Sequence, residues 1–196
     1  SFTEPRLYVV DGGKAIRRAI LDRAGEAAFV QRCQEHKIRN VCEHLPEAQR
    51  HRVRYQMRAA YQKPEAADAR QALYRLHDQL STANPSAAAS LAEGLEETLT
   101  LLELRVSPQL RRSLASTNGI ESSFSMVERV CLQVKRWQGS DHRLRWVASG
   151  LAYAESRWNR LHGYRHISAL VAALKADYQV RLQRQHAALH QQVGAA

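Results

Sequence analysis

Two short segments near the start of the chain have the pattern of buried β-strands, and helical patterns account for most of its 196 residues. RLYVV, ended by the pair Gly12 and Gly13, and AAFVQRC are rich in β-branched and aromatic residues. A helical pattern follows each strand: KAIRRAILDRA, closed by Gly25, and QEHKIRNVCEHL, ended by Pro46. This β-α-β-α order predicts a piece of an α/β sheet with Asp11 at its carboxyl edge, where such folds usually place their chemistry.

Residues 47–112 contain no strand pattern. Three helical stretches rich in Ala, Leu, Glu and Arg occupy this region: EAQRHRVRYQMRAAYQ, PEAADARQALYRLHDQLS and PSAAASLAEGLEETLTLLEL. They are punctuated by Pro64, Pro85 and Pro108. We interpret the region as an all-α insertion between two parts of one fold.

Helical patterns continue beyond the insertion. A helix that begins near Glu121 is followed by the basic stretch QVKRWQGSDHRLRW, then by a predicted helix from Val147 to about Leu161. A tail helix is predicted from about Ile167 to Gln192, and we expect the terminal VGAA to fray.

Glu121 lies at the start of its predicted helix, in LASTNGIESSFSMVERV. The apolar positions of this helix are predicted to form one stripe: Ile120, Phe124, Val127, Cys131 and Val134. Glu121 lies roughly 100° round from Ile120, so it can face a cleft beside the sheet without entering the core. The alternative is a helix cap in which Asn118 is the N-cap and Glu121, at N3, reaches back to its amide.

Two other motifs have plain structural alternatives. Asp-Gly is a common turn dipeptide, and DGGK lacks the Gly-x4-Gly-Lys-Ser/Thr spacing of a phosphate loop. Close in sequence lie four residues that could ligate zinc: Cys33, His36, Cys42 and His44. However, they mostly share one short predicted helix, whereas structural zinc sites need ligand pairs on separate elements. We therefore favour a buried Cys33 with a hydrogen-bonded His36.

Composition restricts the class of protein. The net charge is +10, and residues 111–196 hold 13 Lys and Arg against five Asp and Glu. Such an excess is typical of nucleic-acid binding, although many basic surfaces are simply solvated. Three cysteines form too sparse a set for a disulfide framework and indicate a reducing compartment. No long apolar run or leader is found, so we expect neither a membrane span nor secretion. The start at Ser1 suggests the later part of a longer polypeptide.

Six ordered motifs closely resemble the mutator-type transposases of bacterial insertion sequences. They are VVDGGKAIRRAI, VQRCQEHKIRNVCEHLP, PSAAASLAEGLEETLTLLEL, LRRSLASTNGIESSFS, VKRW and RLRWVASGLAYAE. The resemblance implies a partial RNase H-like (retroviral-integrase-like) α/β fold that is mostly helical overall, with a large all-α insertion. The implied segments are 1–46 (partial core), 47–112 (insertion), 113–165 (rest of the core) and 166–196 (carboxyl-terminal helix).

The same resemblance implies roles for particular residues. Asp11 matches the second aspartate of an Asp-Asp-Glu triad, and Glu121 matches its glutamate in the TNxIE motif. Cys33 and His36 match a C-x2-H signature. The first aspartate would lie on an earlier strand that this chain does not contain, so we expect the carboxyl-terminal part of a transposase that lacks catalysis on its own.

Cofactors and partners follow from that family. Mg²⁺ or Mn²⁺ would be held by Asp11 and Glu121, since hard cations prefer carboxylate oxygens. The partners would be insertion-sequence ends and target DNA, with a homo-oligomer in the full-length protein, in the bacterial cytoplasm at the nucleoid. The residues expected to contact DNA are Lys14, Lys37, Arg39, Asn118, Lys135, Arg136, Trp137, Arg143 and Arg145. Trp146 is expected in the core, and Trp137 could lie in the core or on the surface.

Two rival functions differ in class. One is a non-catalytic DNA-binding or regulatory remnant of a transposase. The other is a stand-alone nuclease of the RNase H-like group, which fits poorly because such an enzyme needs all its carboxylates in one chain.

Overall fold

The computed structural model describes residues 4–193, with side chains described as far as residue 188. Its sheet consists of two parallel strands, β1 (Arg6–Val10) and β2 (Ala28–Arg32), joined by helix α1 (Lys14–Ala24). The register pairs Arg6 with Ala28 at one end and Val10 with Arg32 at the other. The predicted α/β class and the β-α-β-α start are therefore confirmed.

Helices make up nearly all the remaining regular structure. They are α2 (Gln34–Glu43), α3 (Glu47–Tyr61), α4 (Ala66–Ala83), α5 (Pro85–Ala92), α6 (Thr100–Glu103), α7 (Pro108–Leu114), α8 (Asn118–Cys131), α9 (Gly139–Glu155) and α10 (Ile167–Val193). No helix within residues 4–193 is long and apolar enough to cross a bilayer. The expected fraying of the last residues concerns positions 194–196, which lie outside the described residues.

The largest core joins α2 to the helices that follow it. Its fully buried side chains include Val41, Met57, Leu73, Leu91 and Leu99. The stretch PSAAASLAEGLEETLTLLEL, predicted as one helical stretch, is broken into α5, a 3₁₀ turn and α6. The break falls at Gly94, whose φ of +62° cannot continue a helix.

A second core lies beside the sheet. Phe29 of β2 packs with Leu101, Leu110 and Leu170, which brings α6, the start of α7 and the tail helix α10 together. Arg181 of α10 lies with its guanidinium carbon 3.8 Å from the centre of the Phe29 ring and donates a hydrogen bond to the Ala28 carbonyl at 3.2 Å. These contacts attach the tail helix to β2.

The chain divides into two compact units: the first is Ser1–Ser116 with Gly163–Ala196, and the second is Thr117–His162. The main elements of the second unit are helices α8 and α9, which approach each other closely at Gly150. A Cβ atom at Gly150 would lie 3.1 Å from the Cα atom of Val127. The absent side chain therefore lets the two backbones pack closely.

Two expectations for the second unit are wrong. The predicted stripe of α8 is only partly buried: Val127 is buried, whereas Ile120 and Phe124 are 50% and 58% exposed, and Ser123, outside the stripe, is buried as well. The close approach of Gly150 to Val127 accounts for the burial of Val127, the member of the stripe that meets α9. Helix α9 begins at Gly139 instead of Val147 and ends at Glu155, well before Leu161.

Candidate functional site

Asp11 follows β1 directly and stands at the carboxyl edge of the parallel strand pair. Its Oδ1 accepts a hydrogen bond from the Gly13 amide at 3.0 Å, which closes the Asp-Gly turn. The side chain is exposed, and this bond uses only one of its two oxygens. A carboxylate held in this way is oriented and still able to bind a cation or a polar ligand.

Arg32, the last residue of β2, lies against this turn. Its guanidinium occupies the space where a Cβ of Gly12 would lie, and Gly12 has φ +104°. On its other side, a Cβ at Gly94 would come within 2.6 Å of Arg32 Nη1. Arg32 donates to the Glu93 carbonyl at 2.8 Å and to its carboxylate at 3.1 Å. Two glycines and a charge pair thus join the Asp11 turn to the helical insertion.

The C-x2-H motif lies at the same edge. The Cys33 amide donates to the Val10 carbonyl at 2.7 Å, and the Cys33 side chain is fully buried. His36 Nδ1 lies 3.2 Å from Cys33 Sγ. The expected buried cysteine with a hydrogen-bonded histidine is therefore confirmed, and among the described residues no group of three or more His, Cys, Asp or Glu could hold a metal ion.

Lys37 does not lie on the surface, which corrects its place among the expected DNA contacts. Its side chain is fully buried, and its ammonium donates to the carbonyls of Ser90, at 2.6 Å, and Glu93. Burial, helped by the charge of Arg32, lowers the pKa of Lys37 to about 8. Lys14 and Arg39 are exposed, as a phosphate contact requires.

Glu121 belongs to the second unit and is half-buried in the first turn of α8. Thr117, and not Asn118, is the N-cap residue. The Thr117 hydroxyl donates to the Glu121 carboxylate, and the Glu121 amide donates to the Thr117 carbonyl at 3.0 Å. The alternative cap with Asn118 is therefore wrong, because the helix begins one residue earlier than that arrangement needs, and Asn118 is exposed as its first residue.

The basic stretch spans the turn from α8 into α9. Lys135, Arg136, Arg143 and Arg145 are all exposed, and Arg145 forms a long ion pair with Asp141, at 3.5 Å. Surface pairs of this kind contribute little, so these cations are available to a polyanion.

Aromatic rings accompany these cations. Trp137 is 39% exposed and lies edge-on to His142, with ring centroids 5.8 Å apart. Trp146 is only half-buried, so the expectation that it lies in the core is wrong. Its indole N–H donates to His142 Nε2 at 2.8 Å. Trp158, which the sequence reasoning missed, is 58% exposed and donates to Ser123 Oγ at 2.9 Å. No local sequence pattern distinguishes it from a core tryptophan.

Comparisons with known proteins identify the family. The family model described as "Transposase, Mutator family" matches residues 3–160. The chain is 27% identical over 173 residues to the transposase for insertion sequence element IST2 of Acidithiobacillus ferrooxidans, which covers 88% of this chain and 57% of that protein. It is also 27% identical over 158 residues to the transposase for insertion sequence element ISRM5 of Rhizobium meliloti strain 1021, covering 81% of this chain and 39% of that protein.

The chain thus spans about half the length of the curated relatives that it matches. The family match includes both the strand edge with Asp11 and the helix with Glu121. From this match over most of its length, the chain belongs to the mutator family of transposases.

Proposed function

We propose that this chain supplies two carboxylates, Asp11 and Glu121, to a transposase that cleaves and joins the DNA ends of an insertion sequence. In this proposal the strands belong to a partial RNase H-like core, and an earlier part of the full-length protein provides the third carboxylate. The observation that carries the proposal is the position of Asp11, at the carboxyl edge of a parallel strand pair within the family match.

The two side chains suit Mg²⁺ or Mn²⁺. Both are carboxylates, the ligands that hard cations prefer, and Asp11 is exposed with one oxygen outside its turn hydrogen bond. When bound, such divalent ions stabilise the attacking and leaving oxygens of a phosphoryl transfer.

The remaining residues position these carboxylates. Arg32, held between Gly12 and Gly94, fixes the turn after Asp11 against the insertion. The Thr117 hydroxyl orients the carboxylate of Glu121 at the start of α8. In the second unit, the exposed cations around Trp137 contact DNA phosphates while the indole contacts an unpaired base.

The decisive experiment uses the full-length transposase. Asp11→Asn and Glu121→Gln should each abolish strand transfer while leaving binding to the insertion-sequence end intact, because the shape of each side chain is kept and its charge is lost. Matched controls remove an exposed carboxylate elsewhere: Asp22→Asn on α1 and Glu128→Gln on α8 should transfer strands normally.

The same experiment separates the catalytic proposal from a regulatory remnant. If the full-length protein with Asp11→Asn excises and joins DNA at the normal rate, Asp11 has no catalytic role. A protein that binds DNA ends but shows no strand transfer even without substitution would instead be the non-catalytic form.

A further inference from the structure

A cavity of about 600 Å³ opens in the first unit. Its lining residues begin at Gln34, which follows the Asp11 turn in the chain. Helices α2, α3, α6 and α7 each contribute residues to its lining. Ile38, Tyr61 and Leu101 supply apolar surface. This volume lies within the range of about 300–1,000 Å³ that is usual for small-molecule sites.

The charges in the lining are strongly unequal. Three arginines line the cavity: Arg58 of α3 and the consecutive Arg111 and Arg112 of α7. Among the described residues, Glu35 is the one carboxylate in the lining, and it accepts a hydrogen bond from Arg58 Nη2 at 2.8 Å. The charge of Arg58 is therefore largely neutralised by Glu35.

Arg111 and Arg112 are not neutralised in this way. Arg111 is half-buried, and its Nη1 makes one long hydrogen bond, 3.4 Å, to the Lys63 carbonyl. Among the described residues, no carboxylate forms an ion pair with Arg111 or Arg112. Burial lowers the pKa of the Arg111 guanidinium, yet arginine keeps its charge at neutral pH. An unpaired, partly desolvated guanidinium favours an anionic ligand.

Phosphate is the anion that fits best. Each guanidinium offers several N–H donors in a planar fork that matches the oxygens of a phosphate. The cavity is far larger than a lone carboxylate needs. Its apolar wall, the amide oxygen of Gln34, whose nitrogen donates to the Thr98 carbonyl at 2.9 Å, and the amide of Gln62 can accommodate a ring bearing polar edges. We propose that this cavity binds a phosphate-bearing nucleotide unit through Arg111 and Arg112, either as part of a nucleic acid or as a free nucleotide.

Glu35 makes the proposal testable in both directions. It competes with an incoming anion for Arg58, so its removal should free a third guanidinium for phosphate. Loss of Arg111 and loss of Glu35 should therefore change affinity with opposite signs. A merely structural cluster would weaken binding in both variants.

The test measures binding of deoxyadenosine monophosphate to the 196-residue chain by calorimetry, in EDTA, with inorganic phosphate as competitor. Arg111→Ala should weaken binding roughly tenfold, as expected for loss of a charge-assisted contact. Glu35→Gln should strengthen it about threefold. The control is Arg52→Ala, which removes the same charge from an exposed position of α3 outside the cavity and should change affinity less than about twofold.

A second arm uses a short single-stranded oligonucleotide. If Arg111→Ala weakens binding of the oligonucleotide but not of the mononucleotide, nucleic acid is the source of the phosphate. If Arg111→Ala weakens binding of both probes equally, the ligand is a free nucleotide. Either result supports the site. Equal losses for Arg111→Ala and Arg52→Ala, or no binding of either probe by a folded chain, would overturn it.

The phosphate site rests on the proposed function only in that a transposase encounters DNA. The outcome of the binding test is separate from that of the strand-transfer test. EDTA removes any contribution of divalent ions at Asp11 and Glu121. Failure of phosphate binding would therefore leave the strand-transfer test unaffected, and failure of strand transfer would leave this site unaffected.

Discussion

The two units of the chain differ sharply in how they bury apolar surface. The first unit contains two cores with large side chains that are fully buried, among them Met57, Leu73 and Leu99. In the second unit the buried apolar side chains within Thr117–His162 are those of Val127 and Ala154. Since buried apolar area is the main source of folding free energy, we infer that the first unit holds most of the stability.

The tryptophans make this comparison measurable. All three, Trp137, Trp146 and Trp158, lie in the second unit. Their fluorescence therefore reports on the second unit, whereas far-UV circular dichroism reports mostly on the helices of the first. Denaturation followed by both signals should show the second unit losing its structure at the lower denaturant concentration, because a helix pair with few buried side chains is marginal alone.

The largest effect is expected in the first core. Leu73→Ala removes a fully buried side chain and should reduce the free energy of unfolding by about 2–5 kcal/mol, measured by circular dichroism in urea. The matched change in the second unit is Val127→Ala, which should shift only the fluorescence transition and by about 1 kcal/mol. Equal shifts from both variants would contradict the difference between the units.

A smaller effect should follow from filling the α8–α9 contact. A Cβ atom added at Gly150 would lie only 3.1 Å from the Cα atom of Val127, so the larger side chain of Gly150→Leu cannot fit without moving the helices. We expect the free energy of unfolding of the second unit to fall by about 1–3 kcal/mol. The red shift of tryptophan emission on unfolding should then occur at lower urea concentration. The control is Gly119→Leu in α8, where a Cβ would meet nothing within 4 Å. If both variants unfold alike, the contact at Gly150 does not limit the packing.

The smallest effect concerns Lys37 and pH. Its folded pKa, about 8, is below the unfolded value of 10.5, so between these values the unfolded state binds more protons and stability should rise with pH. Lys37→Met should lack this rise, which urea titrations at pH 7.5, 8.5 and 9.5 can compare with the unsubstituted chain. Measurements stay below pH 10 because burial raises the pKa of Tyr61 and acts in the opposite direction above it. A parallel pH dependence in both proteins would refute the role of Lys37.

Local patterns predicted the order of strands and helices because the spacing of apolar residues differs between a strand and a helix. Gly25 ends α1 and Pro46 follows α2, as their backbone preferences require. The same reasoning failed in part for α8, where the helical spacing of apolar residues predicted that Ile120 and Phe124 would be buried. Which face of a helix is buried depends on the neighbour it meets, and a local window does not contain Gly150.

The candidate site shows the same division. The strand pattern located Asp11 at a sheet edge, and the motif order located Glu121 at a helix start. Neither the contact of Arg32 with Gly94 nor the burial of Lys37 could be read from spacing, because the partners come from residues more than 50 positions away.

The sequence by itself determined the family, the two strands, the all-α stretch between residues 47 and 112 and the positions of both carboxylates, since each depends on local pattern or on ordered motifs. Tertiary structure alone decided which lysine is buried, which face of α8 packs and which arginines gather around a cavity. Arg58 and Arg111 are 53 positions apart in the chain. They line one cavity together with residues of α2 and α6, and which side chains gather in that way is a property of the assembled core.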